Sequence, residues 1–583
     1  MRKKTARKQP SIPKEKTLKV IRSSIANRKK EWQGKERGDG FVIIQIDGLP
    51  HPILMQALSE GYMPFVQGLL ASGDFNVSRY RCGIPGNTPA SQSGIMYGEN
   101  FGIPAFRWLD KQNDSLVSFK NPLSAQTVEQ SISQGKRGIL ENGSSYINLL
   151  SGGAKRSVLT LSTFLTQDMQ KRISGLAIFF LFFFNIIPVF RSLLSSVLEL
   201  FRELYEYLEI RLKGGVQKSE GFFPMVRIFS NVLFFEVATV GALIDINQGR
   251  PSIWLTYNGY DEAAHQRGPE TKYALKTLRV IDRGIRKIVR QIRKKRRGMH
   301  YDVYILSDHG QHPSIPFRYE FGETLENFIY SKVKEGRIAQ YDSGGDVKDY
   351  LMLALSSTLY NFADQNLFFM RRIFKRIAKY IERNILPEET RKITGNISIV
   401  NSSPMSNLYF NIDRGRVDLE QIERVYPGLV GALVRHKGIG LILARSDGDP
   451  MILSRAGRVF YHHGKKRIDG DDPLSGFEDA ELIEAEILQQ FSMPNAGDLV
   501  LYGAFKEGRI INFEEQMGGH GGIGGMQNTP FILYPSRIKY AFHSIRNSRE
   551  LYPVFSKYLG KPSPLTPSPP DQGHALMEGA DQE

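Results

Sequence analysis

Three short apolar runs, far apart in the chain, each end at an aspartate. They are FVIIQID (41–47), SIWLTYNGYD (252–261) and DVYILSDHG (302–310). Between the second and the third, leucine and isoleucine recur at helical spacing from Leu275 to Ile292. Strand, helix and strand therefore alternate, which predicts an α/β fold: a doubly wound, mostly parallel sheet with crossover helices.

The aspartates at the ends of these runs predict where a ligand binds. In open α/β sheets, ligands lie beyond the carboxyl ends of the strands. Those ends meet at one edge of the sheet. We therefore expect the carboxylates of Asp47, Asp261 and Asp308 to face a single crevice.

The net charge of +17 is concentrated in the first 40 residues, which hold 14 Lys/Arg and 4 Asp/Glu. This segment has no apolar core, so we expect neither a secretory signal peptide nor an N-terminal membrane anchor there. We interpret 1–40 as a basic disordered arm, which is either a solvated leader or an adhesive arm for anionic lipid or RNA. A partner that is a specific nucleic acid is not expected.

The segment 173–190 (ISGLAIFFLFFFNIIPVF) has 14 apolar side chains in 18 and no charge. Its length is near the lower limit for a membrane span. A single crossing is excluded if residues on both sides share one active site, and 226–246 is a poor return leg because it contains Arg227, Glu236 and Asp245. Three interpretations stay open: a membrane hairpin or in-plane helix, a buried helical cap, and an oligomer interface.

The length of 583 residues allows one large domain with insertions. We expect a catalytic domain at 41–560, with a helical, partly very apolar insertion at about 120–250 and a cap region at about 320–400. The Pro-rich segment 561–583 predicts a disordered tail. We expect the active site in the cytoplasm or on the cytoplasmic face of a membrane. The basic run RQIRKKRRG (290–298) is interpreted as a solvated helix end, with anionic lipid or nucleic acid as alternative partners.

Thr88 lies in the peptide GIPGNTPASQSGIMYGEN (83–100). A threonine followed by Pro89 predicts a helix start with Thr88 as its cap, and Gly98 predicts the end of the helix about three turns later. The positive end of a helix dipole stabilises a phosphate or an alkoxide. Thr88 is therefore either a candidate nucleophile or only a structural cap.

Cys82 is the only cysteine, which excludes a metal site built on cysteine pairs. Asp261 and His265 are four residues apart, so that one helical turn can bring both to one metal ion. His309 follows Asp308 at a strand end, and His520 lies in a glycine-rich loop. A metal site in this chain would thus be made of aspartate and histidine, with Thr88.

In order and context these motifs resemble the alkaline phosphatase superfamily, specifically its type I phosphodiesterase/nucleotide pyrophosphatase branch. The resemblance covers about 41–110 and 250–312, and returns at 406–412, 437–446 and 498–535. It implies two divalent metal ions, usually zinc. It also implies that Thr88 attacks phosphorus and forms a phosphothreonine intermediate while the two ions clamp the displacement. The implied ligands are Asp47, Thr88, Asp308 and His309 for one ion, and Asp261, His265 and His520 for the other.

One position departs from the family, in which an asparagine about twenty residues beyond the nucleophile helps to bind the phosphoryl oxygens. This chain has GIPAFRWLD there, and Arg107 is a candidate cationic clamp on phosphate, with an ion pair to Asp110 as the alternative.

We expect a metal-dependent phosphoric ester hydrolase, a phosphodiesterase or pyrophosphatase. A phosphomonoesterase, a sulfatase and a phosphoethanolamine transferase could use the same site, and a catalytically silent membrane-surface binding protein is the alternative from another class. The expected partners are a phosphate-ester substrate and an anionic membrane surface, the latter through 1–40 and 173–190.

Overall fold

The structure is a computed structural model that describes residues 39–164, 234–294, 298–333, 338–341, 396–462 and 465–559. The apolar segment 173–190, the tail at 561–583 and all but the last two residues of the basic arm lie outside the described residues. The predicted insertion and cap lie there in part, so the domain boundaries stay predictions. Among the helices that are described, none combines the length and the apolar character that crossing a bilayer requires.

The strands are numbered in chain order. They are β1 (Asp39–Ile46), β2 (Phe75–Arg79), β3 (Arg107–Asp110), β4 (Ser115–Ser118), β5 (Ser144–Tyr146), β6 (Arg156–Val158), β7 (Ser252–Tyr257), β8 (His300–Leu306), β9 (His312–Pro316), β10 (Ile338–Tyr341), β11 (Ile397–Ser402), β12 (Met405–Phe410), β13 (Ile439–Ser446), β14 (Asp449–Leu453), β15 (Gly457–His462), β16 (Lys465–Gly470), β17 (Leu499–Gly503), β18 (Phe505–Lys506), β19 (Arg509–Asn512), β20 (Gly518–Gly519) and β21 (Phe531–Pro535).

The α-helices are numbered in the same way. They are α1 (His51–Ser59), α2 (Pro64–Ala71), α3 (Thr88–Tyr97), α4 (Pro122–Ile132), α5 (Phe235–Gln248), α6 (Gly259–Arg267), α7 (Lys272–Lys294), α8 (Phe317–Phe321), α9 (Leu325–Lys332), α10 (Leu419–Val425), α11 (Leu429–Arg435), α12 (Ala480–Phe491) and α13 (Tyr552–Ser556).

The three predicted strands lie side by side in a seven-stranded sheet of order β2-β21-β8-β1-β7-β5-β6. The central strand β1 pairs in parallel with both β7 and β8. In this sheet β21 runs in the direction opposite to that of the other six strands. The predicted mostly parallel sheet is therefore confirmed, and α7 is the crossover helix that was predicted between β7 and β8.

Both faces of this sheet are buried. Val42, Ile44 and Ile46 of β1 pack into a core with residues of α1, α2, α5 and α7. Phe41 and Ile43 point the other way, into a second core that includes residues of α3 and α4. A parallel strand covered on both faces needs apolar side chains at successive positions, which is why the sequence shows an unbroken apolar run.

A second sheet of eight strands, with order β10-β11-β12-β17-β13-β14-β15-β16, was not predicted. It is antiparallel except for the β10–β11 pair. In β17, Leu499 and Leu501 face one core while Val500 and Tyr502 face another, so this sheet is also covered on both faces. The turn between β11 and β12 contacts the candidate site, because Ser403 Oγ accepts a hydrogen bond from the backbone N–H of His520 at 3.3 Å.

Candidate active site

The aspartates converge at the carboxyl edge of the first sheet, as predicted. Asp47 follows β1 directly, and Asp308 follows β8 after one residue. Asp261 lies in the first turn of α6, the helix that follows β7. All three side chains are buried, with 4% of Asp47 and none of Asp308 exposed.

The structure brings six predicted ligands into two neighbouring groups. Within each group, the candidate ligand atoms all lie within 4.8 Å of one another. The imidazole rings of His309 and His520 stack across the two groups with centroids 4.0 Å apart. Asp47, Asp308 and His309 form one group, here called the first donor group. Asp261, His265 and His520 form the other, the second donor group. These are the two sets that the family resemblance implied.

The three histidines are oriented in the same way. Each has its Nδ1 within hydrogen-bond distance of a backbone carbonyl oxygen, at 2.9 Å for His265, 3.0 Å for His309 and 3.2 Å for His520. The three carbonyl groups are those of Gly518, Gly310 and Gly86 respectively. A histidine that binds a metal through Nε2 usually donates its other ring N–H in this manner, which fixes the orientation of the ring.

The Nε2 atoms of two of these rings face the carboxylates. His265 Nε2 lies 3.3 Å from Asp261 Oδ2, and His309 Nε2 lies 3.5 Å from Asp308 Oδ2. Burial opposes a charge on His265, but Asp261 raises the pKa of its imidazole to about 10. Without a metal ion this ring therefore carries a proton, and a metal at Nε2 would displace it.

The buried carboxylates repel one another. Burial, and then the charges of Asp308 and Asp261, raise the pKa of Asp47 well above its ordinary value. Asp308 Oδ2 is buried and has no hydrogen-bond partner among the described residues. Burial and the neighbouring His309 and His265 lower the pKa of His520 well below its ordinary value, which keeps that ring neutral. Crowded carboxylates beside a neutral imidazole fit divalent cations, and oxygen and nitrogen donors of this kind suit zinc.

Thr88 is the first residue of α3, but the cap of this helix is Asn87. Asn87 Oδ1 accepts a hydrogen bond from the N–H of Ala90 at 3.0 Å. The prediction that Thr88 caps the helix is therefore wrong, because asparagine caps at least as well as threonine and proline is tolerated throughout the first turn. Gly98 ends the helix in the left-handed conformation, as predicted.

Because Asn87 makes the capping bond, the Thr88 hydroxyl is directed into the first donor group. Its Oγ1 lies 3.0 Å from His309 Nε2 and 3.4 Å from Asp47 Oδ1. The hydroxyl thus lies at the positive end of a ten-residue helix and beside candidate metal ligands.

Replacing Asn87 with alanine is expected to lower the free energy of unfolding by about 1 kcal/mol, the usual value of a helix cap. It should also slow hydrolysis at least about tenfold, because the backbone that aims Thr88 is no longer fixed. Urea denaturation and steady-state kinetics measure the two effects. Asn121, which caps α4 through hydrogen bonds to Leu123 and Ser124, is the matched control. Asn121→Ala should cost similar stability and leave the rate unchanged; equal rates in both variants would contradict the positioning role of Asn87.

A layer of buried polar side chains supports Asp47 from below. Gln45 Oε1 accepts hydrogen bonds from Gln92 Nε2 at 3.0 Å, and from Trp254 Nε1 and Thr256 Oγ1 at 3.1 Å each. Gln45 Nε2 lies 3.5 Å from Asp47 Oδ1. Sequence reasoning missed this layer. The available signals were a glutamine inside the apolar run of β1 and Gln92 one helical turn after Thr88.

A cavity of about 80 Å³ opens over the two donor groups. Asn148, Asn258 and Glu262 also line it and were missed from the sequence. Five apolar side chains also line it and are here called its apolar wall: Phe106, Phe119, Ile147, Leu149 and Leu161.

Arg107 is not among the residues that line this cavity. Its side chain is buried, and Nη2 lies 3.8 Å from Glu514 Oε1. Asp110 instead accepts the backbone N–H groups of Gln112 and Asn113. The structure thus pairs Arg107 with Glu514 rather than with Asp110, and its role as a phosphate clamp stays a prediction.

Gly48, directly after Asp47, approaches Asp261 so closely that a side chain would displace it. Its φ is +67°, and a Cβ atom built there overlaps the Asp261 carboxylate. We expect Gly48→Ala to weaken zinc binding at least about tenfold, the low end of the effect of disturbing a ligand's support. Competition with a chromogenic chelator measures the affinity.

Gly61 offers the control for this substitution. Its φ is +71°, and no atom lies within 4 Å of a Cβ built there. Gly61→Ala should therefore impose similar backbone strain and leave zinc affinity unchanged. If both variants bound zinc equally well, the contact between Gly48 and Asp261 would not support the site.

Residues 229–347 match the model of one protein family, described as type I phosphodiesterase / nucleotide pyrophosphatase. The match spans about a fifth of the chain and contains four of the candidate ligands: Asp261, His265, Asp308 and His309. It confirms the resemblance drawn from the sequence. This family consists of metal-dependent hydrolases of phosphoric esters.

Among curated proteins, none matches this chain significantly in sequence. The solved structures that are similar to this chain include the following two. Phosphonoacetate hydrolase from Sinorhizobium meliloti 1021, in complex with phosphonoformate, matches with 10% identity and a TM-score of 0.43, over 90% of this chain and 98% of that one. An inactive form of murine ectonucleotide pyrophosphatase / phosphodiesterase 5, in complex with AMP, matches with 11% identity and a TM-score of 0.42, over 89% and 94%. Since these scores are low, the fold assignment rests on the strand order of this chain.

Proposed function

We propose that this chain, a hydrolase of phosphoric ester bonds related to that family, cleaves phosphodiesters or pyrophosphates with Thr88 as nucleophile and two divalent metal ions, zinc by preference. One observation carries the proposal. The Thr88 hydroxyl lies at the start of α3, 3.0 Å from His309 and 3.4 Å from Asp47, beside two groups of metal-binding side chains.

The residues that would hold the metals are the two donor groups, with Thr88 completing the first. When bound, the ions would neutralise the buried carboxylates and stabilise negative charge on the attacking and leaving oxygens. Gln45 and the backbone carbonyls behind the histidines would keep the ligands in place.

The proposed reaction has two displacements at phosphorus. In the first, Thr88 Oγ1 bonds to phosphorus, the bond to the leaving group breaks, and the hydroxyl proton ends on the leaving oxygen or in solvent. In the second, a water oxygen bonds to phosphorus, the bond to Thr88 breaks, and one proton of the water restores the hydroxyl. The dipole of α3 stabilises the negative charge beside Thr88 in both steps.

The apolar wall of the cavity supports a diester over a monoester. A diester carries a second organic group on phosphorus, and the side chains from Phe106 to Leu161 offer that group an apolar surface. A monoester would direct additional charged oxygens at the same surface, which stabilises charge poorly. The diester is therefore the substrate class that the cavity fits better.

The zinc-loaded protein is expected to hydrolyse bis(p-nitrophenyl) phosphate with kcat/KM at least about tenfold above that for p-nitrophenyl phosphate. Release of p-nitrophenol measures both reactions, and p-nitrophenyl sulfate tests the sulfatase alternative in the same assay. The opposite ranking of the two phosphates would make the protein a phosphomonoesterase that uses the same residues.

A further inference from the structure

The outer face of α7 carries positive charge along its whole length. Lysine and arginine occupy seven positions spaced alternately four and three residues apart, here called the cationic row: Lys272, Lys276, Arg279, Arg283, Arg286, Arg290 and Arg293. Six of these side chains are exposed, and Lys276 is partly buried. At a rise of about 1.5 Å per residue, the row is about 30 Å long.

The packing of α7 does not require this row. The opposite face of the helix supplies the apolar contacts to the sheet, through residues such as Leu278, Ile281 and Ile285. Asp282 is buried and accepts the backbone N–H groups of Phe65 and Val66, at 3.0 Å each. Burial raises the pKa of its carboxyl, and the charges of Arg286 and Arg283 oppose that rise, so Asp282 offsets a part of the charge of the row. Like charges one turn apart destabilise a helix, and solvent-facing helices usually mix the two signs. With nine Lys/Arg and a single acidic residue, α7 carries a net positive charge, which attracts anionic partners.

The middle of the row forms a recess. Lys276, Arg279 and Arg283, with Val280, line a cavity of about 290 Å³. The Arg279 guanidinium lies over the ring of Tyr62, 4.9 Å from its centroid. Three cations around a cavity of this size can accommodate an anionic headgroup.

The elements beside α7 indicate whether its partner has a flat surface or a groove that the helix would enter. On one side, α7 contacts the α2 region, where Arg293 pairs with Asp74 at 2.8 Å. On the other side it contacts α5, where Gln291 bonds to Asn247 and Lys287 pairs with Glu236. Because helices flank it on both sides, α7 cannot enter a groove of a nucleic acid, whereas a flat surface can contact the whole row.

We propose that the cationic row docks this protein on an anionic lipid bilayer. Asp39, where β1 begins, is paired with His300, six residues after the end of α7. The preceding residues 1–38 hold 14 Lys/Arg and 3 Asp/Glu. Lysine and arginine near an anionic membrane each add to its attraction for the protein.

The test uses the full-length protein and vesicles of phosphatidylcholine, with and without phosphatidylserine, in a flotation assay at low salt. The row variant combines Lys276→Gln, Arg279→Gln, Arg283→Gln and Arg286→Gln. Each lost charge should weaken binding to the phosphatidylserine vesicles about fivefold, and all four together by a few hundredfold. Vesicles of phosphatidylcholine alone should bind neither protein.

The control variant removes four exposed charges from the other sheet region, through Arg435→Gln, Lys437→Gln, Lys465→Gln and Arg467→Gln. It has the same net charge as the row variant and should keep binding the vesicles. A second variant that combines Arg279→Lys, Arg283→Lys and Arg286→Lys keeps the charge and should also bind. Hydrolysis of bis(p-nitrophenyl) phosphate, a soluble substrate, should be unchanged in all of them, which reports on folding.

Two outcomes would overturn the proposal. Equal flotation of the row and control variants would show that the row does not contact the membrane. Binding of single-stranded RNA that depends on the row, without binding to the vesicles, would assign the surface to nucleic acid. Neither outcome would affect the proposed catalytic function, which the soluble substrate tests separately.

Discussion

Replacing Thr88 with alanine is expected to lower kcat for phosphodiesters by at least about a thousandfold, as the loss of a nucleophile does in other hydrolases. The physical reason is that no second hydroxyl is held at the same place: Thr88 alone has its Oγ1 between His309 and Asp47 among the described residues. The fold should be unaffected, because Asn87 caps α3. The measurement is steady-state hydrolysis of bis(p-nitrophenyl) phosphate by the zinc-loaded variant.

Thr88→Ser is the matched control, because it keeps a hydroxyl in the same position. It should retain activity within about tenfold of the parent. Rapid acid quenching followed by mass spectrometry should detect a phosphate on residue 88 in the parent and in the serine variant. Ordinary turnover in Thr88→Ala would remove Thr88 from the mechanism, and loss of bound zinc in that variant would give it a structural role instead.

Removing the metals should have the second large effect. The effect of Asp308→Asn on stability should change sign when the metals are removed. Chelation is expected to abolish hydrolysis and to lower the melting temperature, since ligands at a hundred times Kd stabilise a protein by about 2.7 kcal/mol. Asp308→Asn should likewise reduce activity at least about a hundredfold. Without metal, however, this variant should be more stable than the parent. Its neutral amide no longer repels Asp47, whose pKa Asp308 helps to raise.

Thermal unfolding with and without zinc measures this reversal. Asp282→Asn is the control, because Asp282 is also a buried aspartate but lies on α7, hydrogen-bonds to the backbone N–H groups of Phe65 and Val66, and belongs to neither donor group. It should destabilise both forms by the same amount. If chelated Asp308→Asn were less stable than the chelated parent, the carboxylates would not be crowded enough to need a cation.

The ligands could be predicted from the sequence because they follow from local rules. Strands that end in aspartate meet at one edge of a parallel sheet, and a carboxylate and an imidazole four residues apart share one face of a helix. The cap of α3 could not be predicted in this way. Asn87 and Thr88 both have capping side chains, and the local pattern does not distinguish a cap at the first from a cap at the second.

Long-range partners account for most of what was missed. Gln45 bonds to Gln92 and Trp254, and the partner of Arg107 is Glu514, about four hundred residues further along the chain. No spacing rule connects such residues. The second sheet was missed for a related reason, since its strands are separated by three helices, by turns and by segments outside the described residues, and only their pairing makes them a sheet.

The position of His520 has a consequence for how the protein is made. Asp47 and Thr88 are synthesised long before residue 520, and the second donor group lacks a member until that residue has been added. The strand that separates β2 from β8, β21, is translated later still. A nascent chain therefore exposes carboxylates that are buried in the folded protein, and any product truncated before residue 520 would lack at least one of the six candidate metal ligands.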